Sequence, residues 1–200
     1  MNIEQFFSTP IGFFNLDRSL TDNEINFILN LSRRFNNGNE TSVDNYILEN
    51  PELADLKKFF IFSINEFIEE VYKPATSIES YITQSWANFT YSNGYHHRHH
   101  HRNSFVSGVF YVRVNSGKDK IKFAKVLDQI LHIEPREYNI FNAESWTFET
   151  NKNSLILFPS QLTHEVPPLD NDSHERISIS FNTFLKGTIG SKVELTQINL

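Results

Sequence analysis

The sequence predicts a mainly β fold with N-terminal helices, built as an antiparallel sandwich or jelly roll, and three observations predict it. From Ser80 onward, short runs rich in Ile, Val, Phe and Tyr alternate with polar residues and are broken by Asn, Gly, Ser or Pro, the pattern of strands joined by turns. No helical segment separates these runs, which argues against a parallel α/β sheet. Helical spacing of apolar residues is confined to the first third of the chain.

Taken in order, Thr21 or Asp22 can cap a first helix in which Ile25, Ile28, Leu29 and Leu31 recur at helical spacing, and the pattern carries it to about Asn37-Gly38. A second helix is expected from Pro51, a good first-turn residue, to about Tyr72, where Pro74 stops it. Its stripe of Leu53, Leu56, Phe59, Phe60, Ile64, Phe67, Ile68 and Val71 suits packing on a sheet. Strands are expected near 80–91, 104–114, 120–124, 127–133, 145–149, 153–158 and 174–184. With no internal repeat, low-complexity tract or linker, the 200 residues read as one domain. It comprises a helical part over 1–79, a β core over 80–187 and a C-terminal extension over 188–200.

Composition removes several classes of function. The chain is 39% apolar with 19 Phe, too much bulky hydrophobe for disorder. A formal charge of -6 disfavours binding to nucleic acid through diffuse phosphate neutralisation, and equally a polybasic membrane surface. The absence of Cys excludes disulfide scaffolds, zinc ribbons, iron-sulfur clusters and thiol nucleophiles, so a metal must be held by His or carboxylates. No segment approaches the ~20 apolar residues of a membrane helix, and MNIEQFFSTPIGFF lacks a basic leader. A soluble, cytoplasmic protein is expected.

Chemistry concentrates in three places. Five of the eight His lie between 96 and 101. In an extended segment His99 and His101 share a side while His100 points away, so an HxH pair can put two imidazoles on one metal; registers using His97 or His100 compete with it. His164 follows an apolar run (155–158) and a Pro159-Ser160 turn. A jelly roll can bring such distant strand ends together. In the segment 174–182, alternation puts Ile177, Ile179 and Phe181 on one face and Arg176, Ser178, Ser180 and Asn182 on the other. A lone guanidinium among small hydroxyls suits a cavity that takes a carboxylate, because Arg offers a bidentate fork and Ser leaves room.

These stretches, SWANFTYSNGYHHRHHHRNSFVSGVFYV (85–112), LILFPSQLTHEVPP (155–168) and ERISISFNTFLKG (175–187), resemble the iron(II)- and 2-oxoglutarate-dependent oxygenases. More narrowly, they resemble small prolyl-hydroxylase-like members known from marine bacteria and cyanophages. The resemblance implies a double-stranded β-helix (jelly roll) core flanked by two or more α-helices. It also implies a dioxygenase that hydroxylates an unactivated C–H bond, with Fe(II), 2-oxoglutarate and O2 as cofactors and room for ascorbate as an accessory reductant.

Carried over residue by residue, His99 and His101 look like the proximal ligands, His164 the distal ligand, and Arg176 with Ser178 the pair holding the far carboxylate of 2-oxoglutarate. Tyr111 stands where related hydroxylases place a Tyr hydroxyl on the same carboxylate, and Trp86 with Asn88 match a W-x-N element lining the pocket. One departure is the His at 101, where the widespread triad carries a carboxylate; three neutral ligands leave the ion its full double charge.

The implied substrate is a peptide or protein, a prolyl residue first, or a small molecule. Neither nucleic acid nor membrane is an expected partner. A cupin-type three-His enzyme would also use HxH with a distal His, but it usually adds a Glu that the segment 102–107 lacks. A non-catalytic jelly-roll module holding a metal is the third reading. The segments 115–120 and 133–145 are the expected substrate contacts.

Overall fold

The computed structural model describes residues 1–4, 6–125, 131, 133–168 and 174–200. Its strands are β1 (Gly12–Asn15), β2 (Arg33–Asn36), β3 (Asn39–Ser42), β4 (Ile78–Thr90), β5 (His96–His99) and β6 (Val106–Arg113). They continue as β7 (Lys120–Ala124), β8 (Ser145–Glu149), β9 (Ser154–Pro159), β10 (Thr163–Val166), β11 (Arg176–Ile189) and β12 (Ile198–Asn199). The helices are α1 (Asp22–Leu29) and α2 (Ala54–Tyr72). No helix among the described residues is long and apolar enough to cross a membrane.

The larger sheet runs β1-β9-β6-β11-β4-β3-β2, with β12 on the end of β11, and the smaller runs β5-β10-β7-β8. All of these pairings are antiparallel. The two sheets pack face to face through Val109, Tyr111, Ile156 and Phe158 from one and Ile121 and Phe123 from the other; Phe123 meets Phe158 edge-on at 5.0 Å. This is the jelly roll the sequence predicts.

The opposite face of the large sheet carries the main core, because period-two alternation points every second side chain away from the small sheet. Ile177, Ile179 and Phe181 of β11 join Val106, Phe110 and Val112 of β6 under α2. Helix α2 buries Leu56, Phe60, Ile64, Phe67 and Ile68, one stripe at helical spacing. Phe60 stacks on Phe181 at 4.9 Å and meets Phe110 at 5.3 Å. A 3-10 turn beginning at Pro51 leads into the helix, and Lys73 in the left-handed region ends it just before Pro74.

The first helix is shorter than expected. Thr21 caps it in a capping box with Glu24, and it ends at Leu29. The residues that follow form the hairpin β2–β3, in which Asn37 (φ 33) and Gly38 (φ 103) are the turn rather than a helix stop. Asn-Gly with both residues at positive φ is the turn whose twist matches a two-residue hairpin, and RRFN and NETS flank it as strands. The N-terminal third therefore holds three strands besides its helices. Strands β1, β5, β10 and β12 are likewise additions to the expected set. The strand expected over 127–133 lies outside the described residues, apart from Leu131 and Ile133, which belong to no strand.

Gly108 on β6 lies opposite Phe181 on β11, and a Cβ at 108 would stand 2.2 Å from the Phe181 ring. Gly108→Ala must push that ring against Phe60. A loss of about 1–3 kcal/mol in unfolding free energy is expected, read by denaturant titration.

Candidate metal centre

The ligand-type side chains converge because a short edge strand is paired out of strict register. On β5 and β10, His99 lies opposite His164 and His96 opposite Val166, so three residues of β5 span two of β10. His101 follows just beyond β5, fixed by its backbone N–H donating to the Ser160 carbonyl at 2.9 Å. Ser160 is in turn held by hydroxyl bonds to Ser104 (2.7 Å) and Ser107 (2.8 Å). Ring centroids of His99 and His164 are 4.3 Å apart, those of His99 and His101 5.0 Å, and those of His101 and His164 5.1 Å. One nitrogen from each ring lies within 4.8 Å of the others.

Two of the rings are oriented by the backbone. His99 Nδ1 bonds the His97 carbonyl at 2.7 Å and His164 Nδ1 bonds the Leu162 carbonyl at 2.9 Å. A carbonyl oxygen only accepts, so both Nδ1 atoms carry the proton and Nε2 keeps its lone pair, the form a metal needs. Burial, reinforced by the neighbouring rings, pushes His164 down to about 3 and His101 to about 4, and lowers His99 as well. His100 is exposed and belongs to no cluster. His97 joins His96 and His99 in a second, more exposed cluster that shares His99. Glu165 turns outward to Lys122 at 3.0 Å.

The same cup is floored by polar residues of the large sheet. Asn88, Ser178 and Tyr111 stand opposite one another on β4, β11 and β6, and Trp86, Ser180 and Val109 form the next row. Arg176, 3% exposed, reaches Thr90 Oγ1 through Nη2 at 3.4 Å, while its Nη1 has no partner. The Tyr111 hydroxyl and Asn88 Oδ1 are also buried and unpaired. Burial pushes the Tyr111 phenol up and the Arg176 guanidinium down. Unpaired buried polar atoms are costly in a folded protein, and Nη1 and the Tyr111 O–H are donors, the complement of a carboxylate. The residues present thus fit both a divalent cation and an anionic co-substrate.

The eight residues to which the resemblance gives a role (Trp86, Asn88, His99, His101, Tyr111, His164, Arg176 and Ser178) line one narrow cavity with Ser180, while Asn182, read onto the same face, instead accepts from Ser107 Oγ at 2.8 Å. Among the polar lining residues, two escaped sequence reasoning. His96 faces inward only because of the β5 bulge, and Asn39 arrives from β3, in a segment whose Asn-Gly hairpin signal was absorbed into a helix. The expected substrate segments 115–120 and 133–145 contribute nothing to this lining; residues of 133–145 instead line a separate concavity of about 1010 Å³ over Trp146.

Three convergent imidazoles facing a buried guanidinium inside a jelly roll suit a metal ion with an anionic partner, and comparison narrows the class. Residues 84–182, about half the chain, match the family described as "Putative 2OG-Fe(II) oxygenase". The chain belongs to the 2OG-Fe(II) oxygenase family. Among curated protein sequences none matches.

Solved structures share the fold at low identity. A prolyl-4-hydroxylase from Pseudomonas putida is 13% identical, with a TM-score of 0.52 over 88% of this chain and 93% of that one. HygX from Streptomyces hygroscopicus, solved with nickel, 2-oxoglutarate and hygromycin B, is 8% identical with a TM-score of 0.58, over 88% and 82%. A 2OG-Fe(II) oxygenase family oxidoreductase from Burkholderia pseudomallei is 13% identical with a TM-score of 0.55, over 80% and 74%.

Replacing His99, His101 or His164 singly with Ala is expected to weaken Fe(II) or Ni(II) binding by at least about 10-fold, the low end of losses seen even for ligand-supporting groups. His100→Ala is expected to leave it unchanged, and isothermal titration reads both. The metal-free protein should also respond to acid. Its buried imidazoles stay neutral far below the ordinary value of 6.5, down to about 3 for His164. Between those pH values the unfolded chain binds more protons than the folded one, so stability falls as pH drops below 6.5. Melting temperature followed from pH 7.5 to 4.5 should show that fall, and His164→Ala should reduce its slope.

Proposed function

We propose that the protein is an iron(II)- and 2-oxoglutarate-dependent dioxygenase that hydroxylates an unactivated C–H bond, with a prolyl residue of a peptide or protein as the first substrate to test and small molecules next. The observation that carries this reading is the buried, half-partnered Arg176 in the same cavity as three convergent imidazoles. Iron(II), when bound, supplies the redox chemistry that divides dioxygen between the hydroxylated product and 2-oxoglutarate, which leaves as succinate and carbon dioxide.

The chain's own residues bind, orient and exclude. His99, His101 and His164 hold the metal through nitrogens kept unprotonated by burial and, for two of them, by the carbonyl bonds at Nδ1. A metal held by these three imidazoles alone would keep room for a chelating co-substrate. Arg176 Nη1 and the Tyr111 hydroxyl hold the far carboxylate, with Ser178 beside them and Asn88 on the same row. This fixes the direction in which the keto acid lies. Val109, Ile121 and Phe158 form the apolar wall that keeps bulk water out. Neutral ligands at all three positions leave the metal's double charge uncancelled by protein, which favours a dianionic co-substrate.

A cupin-type enzyme has no use for Arg176, and an inert metal-binding module gives no reason to bury an unpartnered guanidinium. The absence of Cys and the net charge of -6 fit a cytoplasmic enzyme that acts on neither nucleic acid nor membrane.

Anaerobic titration of the metal-loaded protein with 2-oxoglutarate tests the reading. Arg176→Ala is expected to weaken 2-oxoglutarate about 100-fold, on the scale of two charge-assisted hydrogen bonds, while metal affinity is kept. Iron-dependent succinate release in air should accompany binding in the unaltered protein. Arg176→Ala that changes melting temperature alone, with co-substrate affinity intact, would make Arg176 structural and overturn the assignment.

A further inference from the structure

One donor in the cup comes from outside the segment that matches the oxygenase family. Asn39 is 5% exposed, lines the cavity, and has no partner for its Nδ2. Its other amide atom is engaged, since Oδ1 accepts from Asn36 Nδ2 at 3.0 Å across the hairpin. That bond turns the free N–H2 edge away from Asn36. The hairpin itself is pinned beside the metal-bearing strand. Gly38 accepts the backbone N–H of Tyr95, the residue before β5, at 2.9 Å. The Tyr95 ring lies so close that a Cβ at 38 would be 2.7 Å from it.

Register says what Asn39 faces. β3 pairs with β4 so that Glu40 is opposite Phe89 and Thr41 opposite Asn88, which carries Asn39 to the level of Thr90. Thr90 is opposite Arg176. Asn39, Thr90 and Arg176 therefore form one row across β3, β4 and β11, adjacent to the Asn88–Ser178–Tyr111 row and on the same face. Arg176 leans along its row, since its Nη2 reaches Thr90. Three donors in these two rows lack an acceptor: Arg176 Nη1, the Tyr111 O–H and Asn39 Nδ2. A carboxylate accepts through about four lone-pair directions, so it can satisfy all three.

We propose that Asn39 is a further binding residue for the far carboxylate of 2-oxoglutarate, its Nδ2 donating alongside Arg176 and Tyr111. The inference rests on the co-substrate assignment above and adds the N-terminal hairpin to the site, with Asn36 as a positioning residue acting through Asn39.

The test compares two keto acids on the nickel-loaded protein by calorimetry: 2-oxoglutarate, and 2-oxobutyrate, which chelates a metal in the same way but has no far carboxylate. Asn39→Ala is expected to weaken 2-oxoglutarate about 10-fold, the scale of one hydrogen bond to a charged acceptor, and to leave 2-oxobutyrate and nickel affinity unchanged. Asn39→Asp, which puts negative charge in place of the donor, should weaken 2-oxoglutarate further, and Asn36→Ala by a smaller factor. Equal weakening of both keto acids, or none, would overturn the proposal.

Failure of the unaltered protein to bind 2-oxoglutarate would sink the co-substrate assignment instead. Should the variants fold poorly, the side-chain amide signal of Asn39 in the ¹⁵N-labelled, zinc-loaded protein serves without substitution. It should shift on adding 2-oxoglutarate and not on adding 2-oxobutyrate; no shift with 2-oxoglutarate would overturn the proposal as well.

Discussion

The alternation of side chains along β11 is the constraint on which the rest of the molecule depends. One face of this strand gives Ile177, Ile179 and Phe181 to the core beneath α2, and the other gives Arg176, Ser178 and Ser180 to the cup. A slip of one residue would exchange the two sets, burying a guanidinium under a helix and putting three hydrophobes into the cup. Pairing on both edges, with β4 along nearly its whole length and with β6, prevents that slip. Stacking of Phe60 on Phe181 ties the helical layer to the same register.

The metal side of the cup is built differently. There the three imidazoles sit on an edge strand, on its neighbour across a bulge and just beyond a strand end, and backbone carbonyls aim two of them. His99 and His164 each give their Nδ1 proton to a carbonyl two residues earlier in the chain, so ring orientation is set locally and survives the irregular pairing of β5. His101 depends instead on the Ser104–Ser160–Ser107 hydroxyl chain that fixes the carbonyl holding its N–H.

Much of the fold and cup was legible in the sequence, for physical reasons that also mark where legibility ended. Strict alternation made β11 and its Arg176 readable, and the apolar run before Pro159 made β9 and the approach to His164 readable. HxH spacing placed His99 and His101 on one side. His96 was illegible because the bulge breaks the period on which such reasoning relies. Asn39 was illegible because apolar spacing in the residues before it continued as a helix, although Asn37-Gly38 between two alternating segments is a hairpin signal. The pairings that bring β3 beside β4 are non-local, and no window of sequence contains them.

The unpaired donors of the cup also shape how this protein can change. Buried donors such as Arg176 Nη1, the Tyr111 hydroxyl and Asn39 Nδ2 cost stability wherever no partner reaches them. Selection for heat resistance alone would therefore erode the cup before the core, since apolar replacements at Arg176 or Asn39 relieve the penalty while those at Phe181 create cavities. Robustness and chemistry pull on opposite faces of a single strand.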